Sequence, residues 1–233
     1  MNTVVIIMLG LVVLLFVMIA MIVFSRKRNC NRSDRFELPR TPGAVGERLL
    51  YRELCNLYGC KKIVSNCYIP KGNGDFTEID LILLHDSGVY VFESKDYSGW
   101  IFGDEKNQYW TQTFRGGRKE RFYNPIRQNN MHIKYLQRFL PSLPREYIQS
   151  VIVFGERCEL KKIDITTNQH AVIKRNQVLR FICCNAKKQV LSPETIDALY
   201  QRLLAQTQLS VQEKQAHARR VSIVINKQQM RRR

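Results

Sequence analysis

The chain has 233 residues, with 37 Lys plus Arg against 20 Asp plus Glu, a formal net charge of +17 and 45% apolar residues. That much apolar material excludes a disordered or collagen-like chain and is enough for one domain with extensions. Cys55, Cys60 and Cys67 lack Cys-x-x-Cys spacing and Cys183 and Cys184 are adjacent, which argues against zinc modules and a disulfide framework and for thiols in a reducing compartment.

Val4 to Phe24 is an uncharged apolar run. As a helix rising about 1.5 Å per residue it would span roughly 32 Å, close to the ~30 Å of a hydrocarbon core. A cleaved signal peptide is the competing reading. No Lys or Arg precedes the run, however, and its end, Ala20-Met21-Ile22-Val23-Phe24-Ser25, offers no Ala-x-Ala site. The expectation is a single-pass transmembrane anchor over residues 1–25. Arg26, Lys27, Arg28, Arg32 and Arg35 crowd its carboxyl flank, so the positive-inside rule places the body on the cytoplasmic side of the cell (inner) membrane. The same cations suit anionic headgroups.

Residues 26–42 read as a basic linker containing Pro39 and Pro42. Thr41 to Glu47 opens a helix whose apolar stripe is Val45, Leu49, Leu50, Leu54 and Leu57, closed by Gly59. Strands follow at Ile63–Ile69, Phe76–Leu84 and Val89–Lys95, separated by the turn signals Lys71-Gly72-Asn73-Gly74-Asp75 and His85-Asp86-Ser87-Gly88. Tyr97 to Trp110 reads as short strands and Arg115 to Arg121 as a basic loop. Asn124 caps a second helix with Pro125 at its first position, ending near Phe139. Tyr147–Phe154 is a buried strand, Ala171–Lys174 a weaker one, and Val178–Cys184 is ambiguous. Ser192-Pro193-Glu194 starts a last helix with a stripe of Ile196, Leu199, Tyr200, Leu203 and Leu204. The domain boundaries are set at 43–190 for the main body and 191–233 for the final helix and a solvated basic tail.

The chemistry concentrates in two strands. Alternate residues of a strand share a face, so Glu93 and Lys95 point one way, as do Asp80, Ile82 and Leu84. A hairpin with a two- or four-residue loop gives paired numbers that sum to 173 and sets Asp80 opposite Glu93. Their Cβ atoms would then be about 4.5–5.5 Å apart. Facing carboxylates on an apolar strand pair repel unless a cation lies between them, and an all-oxygen site suits Mg²⁺ or Mn²⁺. Lys95 adds an ammonium beside the water such an ion holds, an arrangement suited to phosphodiester hydrolysis. The competing reading is an edge hairpin with solvated charges.

This pattern resembles the PD-(D/E)xK nuclease superfamily and, more closely, its nuclease-related domain (NERD) family. The resemblance covers roughly Gly43 to Leu140. It rests on Gly43-Ala44-Val45-Gly46-Glu47, Glu78-Ile79-Asp80-Leu81, the run Gly88 to Lys95, Tyr97-Ser98-Gly99, Trp110 and Asn124-Pro125-Ile126-Arg127-Gln128-Asn129. It implies an α/β, restriction-endonuclease-like core of order α-β-β-β-α-β, with a mixed central sheet flanked by helices. It also implies Asp80 and Glu93 as metal ligands, Lys95 as the catalytic lysine, Glu47 as a further carboxylate ligand and Gln128 lining the site. The proline of the superfamily signature has no counterpart, Ile79 preceding Asp80. Glu47 and Gln128 each have a plainer reading as first-turn helix residues, where the dipole favours a carboxylate. Among His85, His132, His170 and His217 no pair has ligand spacing.

A basic body suits nucleic acid, DNA favoured over RNA. Arg115, Arg118, Lys119 and Arg121, interleaved with Phe114, Phe122 and Tyr123, are the best local candidate, cations taking phosphates and aromatics stacking on bases. A solvated loop anchored by its aromatics is the alternative. The resulting expectation is a membrane-anchored, Mg-dependent nuclease; its rival is a non-catalytic module of the same fold that binds nucleic acid or protein.

Overall fold

The computed structural model describes residues 8, 10–18, 42–72, 74–186, 188–208 and 220. Residues 10–18 are helical with their large apolar side chains exposed, Phe16 by 71%. No helix among the described residues is long and apolar enough to cross a membrane. The rest of the Val4–Phe24 run, the linker up to residue 41 and nearly all of the basic tail lie outside the described residues.

Helix α1 (Pro42–Cys55) buries Leu50 and Leu54, whereas Val45, expected on the same stripe, is exposed. Strands β1 (Lys61–Pro70), β2 (Phe76–His85) and β3 (Gly88–Lys95) form an antiparallel meander. The β2–β3 pairs run from His85–Gly88 to Leu81–Phe92, so the expected sum of 173 holds along the whole ladder. Helix α2 (Pro125–Phe139) then crosses over, as parallel pairing demands, to β7 (Ile148–Phe154), which lies parallel to β3. With β9 (His170–Lys174) at the edge, the first sheet has the order β1-β2-β3-β7-β9. The α-β-β-β-α-β core is thus present.

The sequence predicts one central sheet; the structure has two. Strands β4 (Gly99–Asp104), β5 (Tyr109–Thr113) and β6 (Lys119–Tyr123) are inserted between β3 and α2. Together with β8 (Cys158–Asp164) they form a second mixed sheet of order β6-β5-β4-β8. Residues 119–121, expected in a loop, belong to the edge strand β6, whose charged side chains hide its period and suit an edge. The sequence gives no sign of β8, because a register shift at Ile101/Phe102 spaces its inward residues Leu160 and Ile163 three apart instead of two.

Three apolar clusters hold the layers together. Helix α2 and helix α4 (Pro193–Leu204) cover one face of the first sheet through Ile133, Leu136, Ile196, Leu199 and Leu203. Helix α1 and helix α3 (Val178–Asn185), which resolves the ambiguous segment, cover the other through Leu50, Leu54, Val178 and Ile182. Trp110 stacks on Phe154 at 6.1 Å and joins the second sheet to β7. Cys55, Cys60, Cys67, Cys158, Cys183 and Cys184 are free thiols.

Candidate active site

Glu47 stands on α1. The helix begins at Pro42, so Glu47 lies in its second turn, past the reach of the first-turn dipole that offers the plainer explanation. A Cβ on the buried Gly46 would lie 3.0 Å from Asp96 Cβ and 3.3 Å from Ser94 Oγ. The missing side chain lets α1 approach the end of β3 and brings Glu47 with it.

Asp80 sits where the sheet is interrupted on both sides. The β1–β2 ladder skips Asn66, which has a left-handed φ of 48°, and the β2–β3 ladder stops one pair short of Asp80 and Glu93. The Asp80 carboxylate instead accepts the Ser94 N–H at 2.9 Å. Irregular backbone of this kind concentrates at functional positions.

Glu93 lies on β3, the middle strand, and is 1% exposed. Lys95, on the same face, donates its ammonium to Glu93 Oε1 at 2.5 Å and to Gln128 Oε1 at 3.3 Å. His132 Nε2 donates to Glu93 Oε2 at 3.1 Å, since an ionised carboxylate only accepts. The hydroxyl of Thr77 holds His132 Nδ1 at 2.7 Å. Gln128 and His132 are four residues apart on α2 and so share one helix face.

The five side chains Glu47, Asp80, Glu93, Lys95 and Gln128 line one pocket of about 380 Å³, together with Ser94, Asp96 and Tyr97. Its electrostatics are uneven. Burial, then Glu78 and Glu93, push the Glu47 carboxyl up to about 7. Burial, then Glu93 and Glu47, raise Asp80 well above the carboxylate range, with Lys95 and the Ser94 N–H opposing. Burial would raise Glu93 too, but Lys95 and His132 hold it below its ordinary value. Burial works against the Lys95 ammonium, yet Glu93, Tyr97 and Asp80 raise it overall. One ammonium serves three acids, and it is committed to Glu93.

This donor set fits a hard divalent cation. Among the described residues no group of three or more His, Cys, Asp or Glu side chains is placed to hold a metal ion. Mg²⁺ does not need such a group, since it takes one or two carboxylates and keeps several waters. The carboxyls of Glu47 and Asp80 are raised first by burial and then by like charge, and the like-charge part is what a cation would relieve.

The family model of the nuclease-related domain matches residues 42–155. Over 196 residues the chain is 30% identical to an uncharacterized protein of Bacillus anthracis, covering 82% of this chain and 87% of that protein. The chain belongs to the nuclease-related domain family. Membership is consistent with the PD-(D/E)xK superfamily and carries a nuclease-related function. No solved structure matches the chain. The matched NERD segment contains α1 through β7 and all five pocket residues.

Sequence reasoning passed over His132 and Thr77. A search for paired metal-ligand histidines finds nothing at position 132, whereas the Gln128-x-x-x-His132 spacing on one helix face was the usable signal. Of the candidate nucleic-acid residues, Arg115 and Arg118 lie at the β5–β6 turn and Lys119, Arg121, Phe122 and Tyr123 on β6. None lines the pocket. Phe122 faces inward, edge-on to Tyr97 at 4.8 Å, and is not placed to stack on a base beside Tyr123.

Proposed function

We propose that this NERD protein is a metal-dependent nuclease that hydrolyses phosphodiester bonds of DNA, tethered to the cell membrane by its amino-terminal apolar segment and facing the cytoplasm. The observation that carries the reading is the surplus of carboxylate in one pocket: Glu47 and Asp80 are raised first by burial and then by neighbouring carboxylates, Glu93 among them for both, while Lys95, the one lysine among the described residues lining the pocket, is bound to Glu93. Asp80, Glu93 and Glu47 would hold Mg²⁺ or Mn²⁺, which supplies Lewis-acid stabilisation and an activated water. Lys95 has three donors; Glu93 and Gln128 take two, leaving one N–H for a phosphate oxygen or the attacking water. His132 and Thr77 fix the Glu93 carboxylate in place.

The test is cleavage of DNA by the full chain in neutral detergent with Mg²⁺, compared with Asp80→Ala and Lys95→Ala. The reading requires activity in the parent protein and its loss in both variants. A second reading, a non-catalytic binding module, draws on the engagement of both Glu93 oxygens by Lys95 and His132. It requires salt-sensitive binding without metal-dependent cleavage.

A further inference from the structure

The open face of the second sheet carries features that the pocket does not use. Strand alternation turns Ile101, Trp110 and Phe122 into the core and leaves Trp100, Phe102, Tyr109 and Tyr123 on the opposite face. Trp100 is 48% exposed, Phe102 37% and Tyr123 40%. Large aromatics exposed together on one sheet face call for a partner.

The cross-strand register sets their order. One row runs Lys119, Thr113, Trp100, and the next Arg121, Thr111, Phe102, with Tyr123 beside Tyr109 in a third. The charges are not symmetric across these rows. On β8, Lys161 pairs with Glu159 at 2.8 Å while its ammonium lies over the Trp100 ring at 5.3 Å, where an incoming base would have to displace it, and Lys162 pairs with Asp164 at 3.6 Å, so that edge carries no net charge. On β6, neither Lys119 nor Arg121 makes an ion pair among the described residues, and Arg121 lies over the Tyr109 ring at 5.2 Å. A cationic edge therefore borders an aromatic surface.

We infer that this face is a stacking platform for single-stranded nucleic acid, with the phosphates along Lys119 and Arg121 and the bases over Trp100, Phe102 and Tyr123. A single strand offers unpaired base faces to exposed rings and a phosphate line to one basic edge, whereas a duplex hides its base faces. The platform and the pocket are also close along the chain. Trp100 lies five residues after Lys95, at most about 18 Å along an extended chain. Gln112 Nε2 donates to Ser98 O at 2.8 Å and ties that connection to the sheet. The inference takes from the proposed function only that the substrate is nucleic acid.

The chain has two tryptophans, and Trp110 is 1% exposed, so fluorescence quenching on ligand addition reports Trp100. The experiment titrates the full chain in neutral detergent and EDTA with a single-stranded DNA oligonucleotide, its RNA equivalent and the matching duplex. Single strands are expected to quench Trp100 and bind more tightly than the duplex, the DNA and RNA arms showing which sugar is preferred. Trp100→Ala and Phe102→Ala each weaken labelled-oligonucleotide binding roughly five- to 150-fold. Lys119→Ala with Arg121→Ala lowers the slope of log affinity against log salt by about 1.4. Circular dichroism and an unchanged melting temperature confirm that these surface variants fold. Binding by Trp100→Ala and Phe102→Ala equal to the parent, or equal affinity for the duplex, overturns the platform. Cleavage by a protein whose platform variants bind normally leaves the nuclease standing without the platform. Platform-dependent binding in a chain that never cleaves leaves the platform without the nuclease.

Discussion

Replacing Glu47 by glutamine should make the metal-free protein more stable at alkaline pH, by an amount set by the charges of the pocket. Burial, Glu78 and Glu93 raise the Glu47 carboxyl from an ordinary 4.5 to about 7. Between those values the folded chain keeps a proton that the unfolded chain has released, so wild-type stability falls as pH rises through this window and is flat above it. At about 1.4 kcal/mol per pH unit the whole loss would be about 3 kcal/mol. Solvent reaches the half-buried side chain, and screening reduces the figure to about 1–2 kcal/mol. Glu47→Gln has no such proton to lose. Followed by circular dichroism in EDTA, it should melt with the parent at pH 4.5 and about 2–8 °C higher at pH 8. A gap of the same size at both pH values, or a lower melting temperature at pH 8, would refute the view of Glu47 as a carboxylate lacking its counter-charge.

Lys95→Ala leaves a 1% exposed Glu93 without its ammonium. Urea unfolding at pH 7 should show a loss of about 3–5 kcal/mol alongside the loss of cleavage. Thr77→Val keeps shape but removes the hydroxyl that holds His132, for a loss of about 1 kcal/mol in the same assay. Asn124→Ala removes both the cap on Ile126 N–H and the amide donor shared by the carbonyls of Asp104, Glu105 and Asn107. The expected destabilisation is about 2–4 kcal/mol, well above that of an exposed cap.

Much of the site was legible because it depends on local periodicity. The turn at Asp86-Ser87 fixes the β2–β3 register, alternation then aligns Glu93 with Lys95, and Asn124-Pro125 marks where α2 starts and so where Gln128 falls. What stayed hidden depends on contacts distant in sequence. The side chain of Asn124 reads as a cap, but nothing local shows that its amide also gathers three carbonyls of the β4–β5 connection. The link from His132 to Glu93 spans 39 residues. The second sheet was hidden because its edge strand is charged and β8 is bulged, so neither shows the two-residue period on which strand reading relies.

The pocket departs from the rules that govern the rest of the fold, and the departures are arranged in order. Glu93 is buried deepest yet keeps its charge, because Lys95 and His132 each take one of its oxygens. Among the described residues Asp80 and Glu47 have no equivalent side-chain partner, and the ladder is interrupted on both sides of Asp80. A fold selected for stability alone would neutralise these two acids; here they are left to compete for a proton. Under the proposed function the same competition makes ion binding depend on pH. A divalent ion and a proton satisfy the same deficit, so ion binding must displace protons from Asp80 and Glu47 and strengthen as pH rises through about 7. Glu93, held below its ordinary value by Lys95 and His132, would add no pH dependence of its own in that window and would serve as the fixed ligand against which the other two adjust.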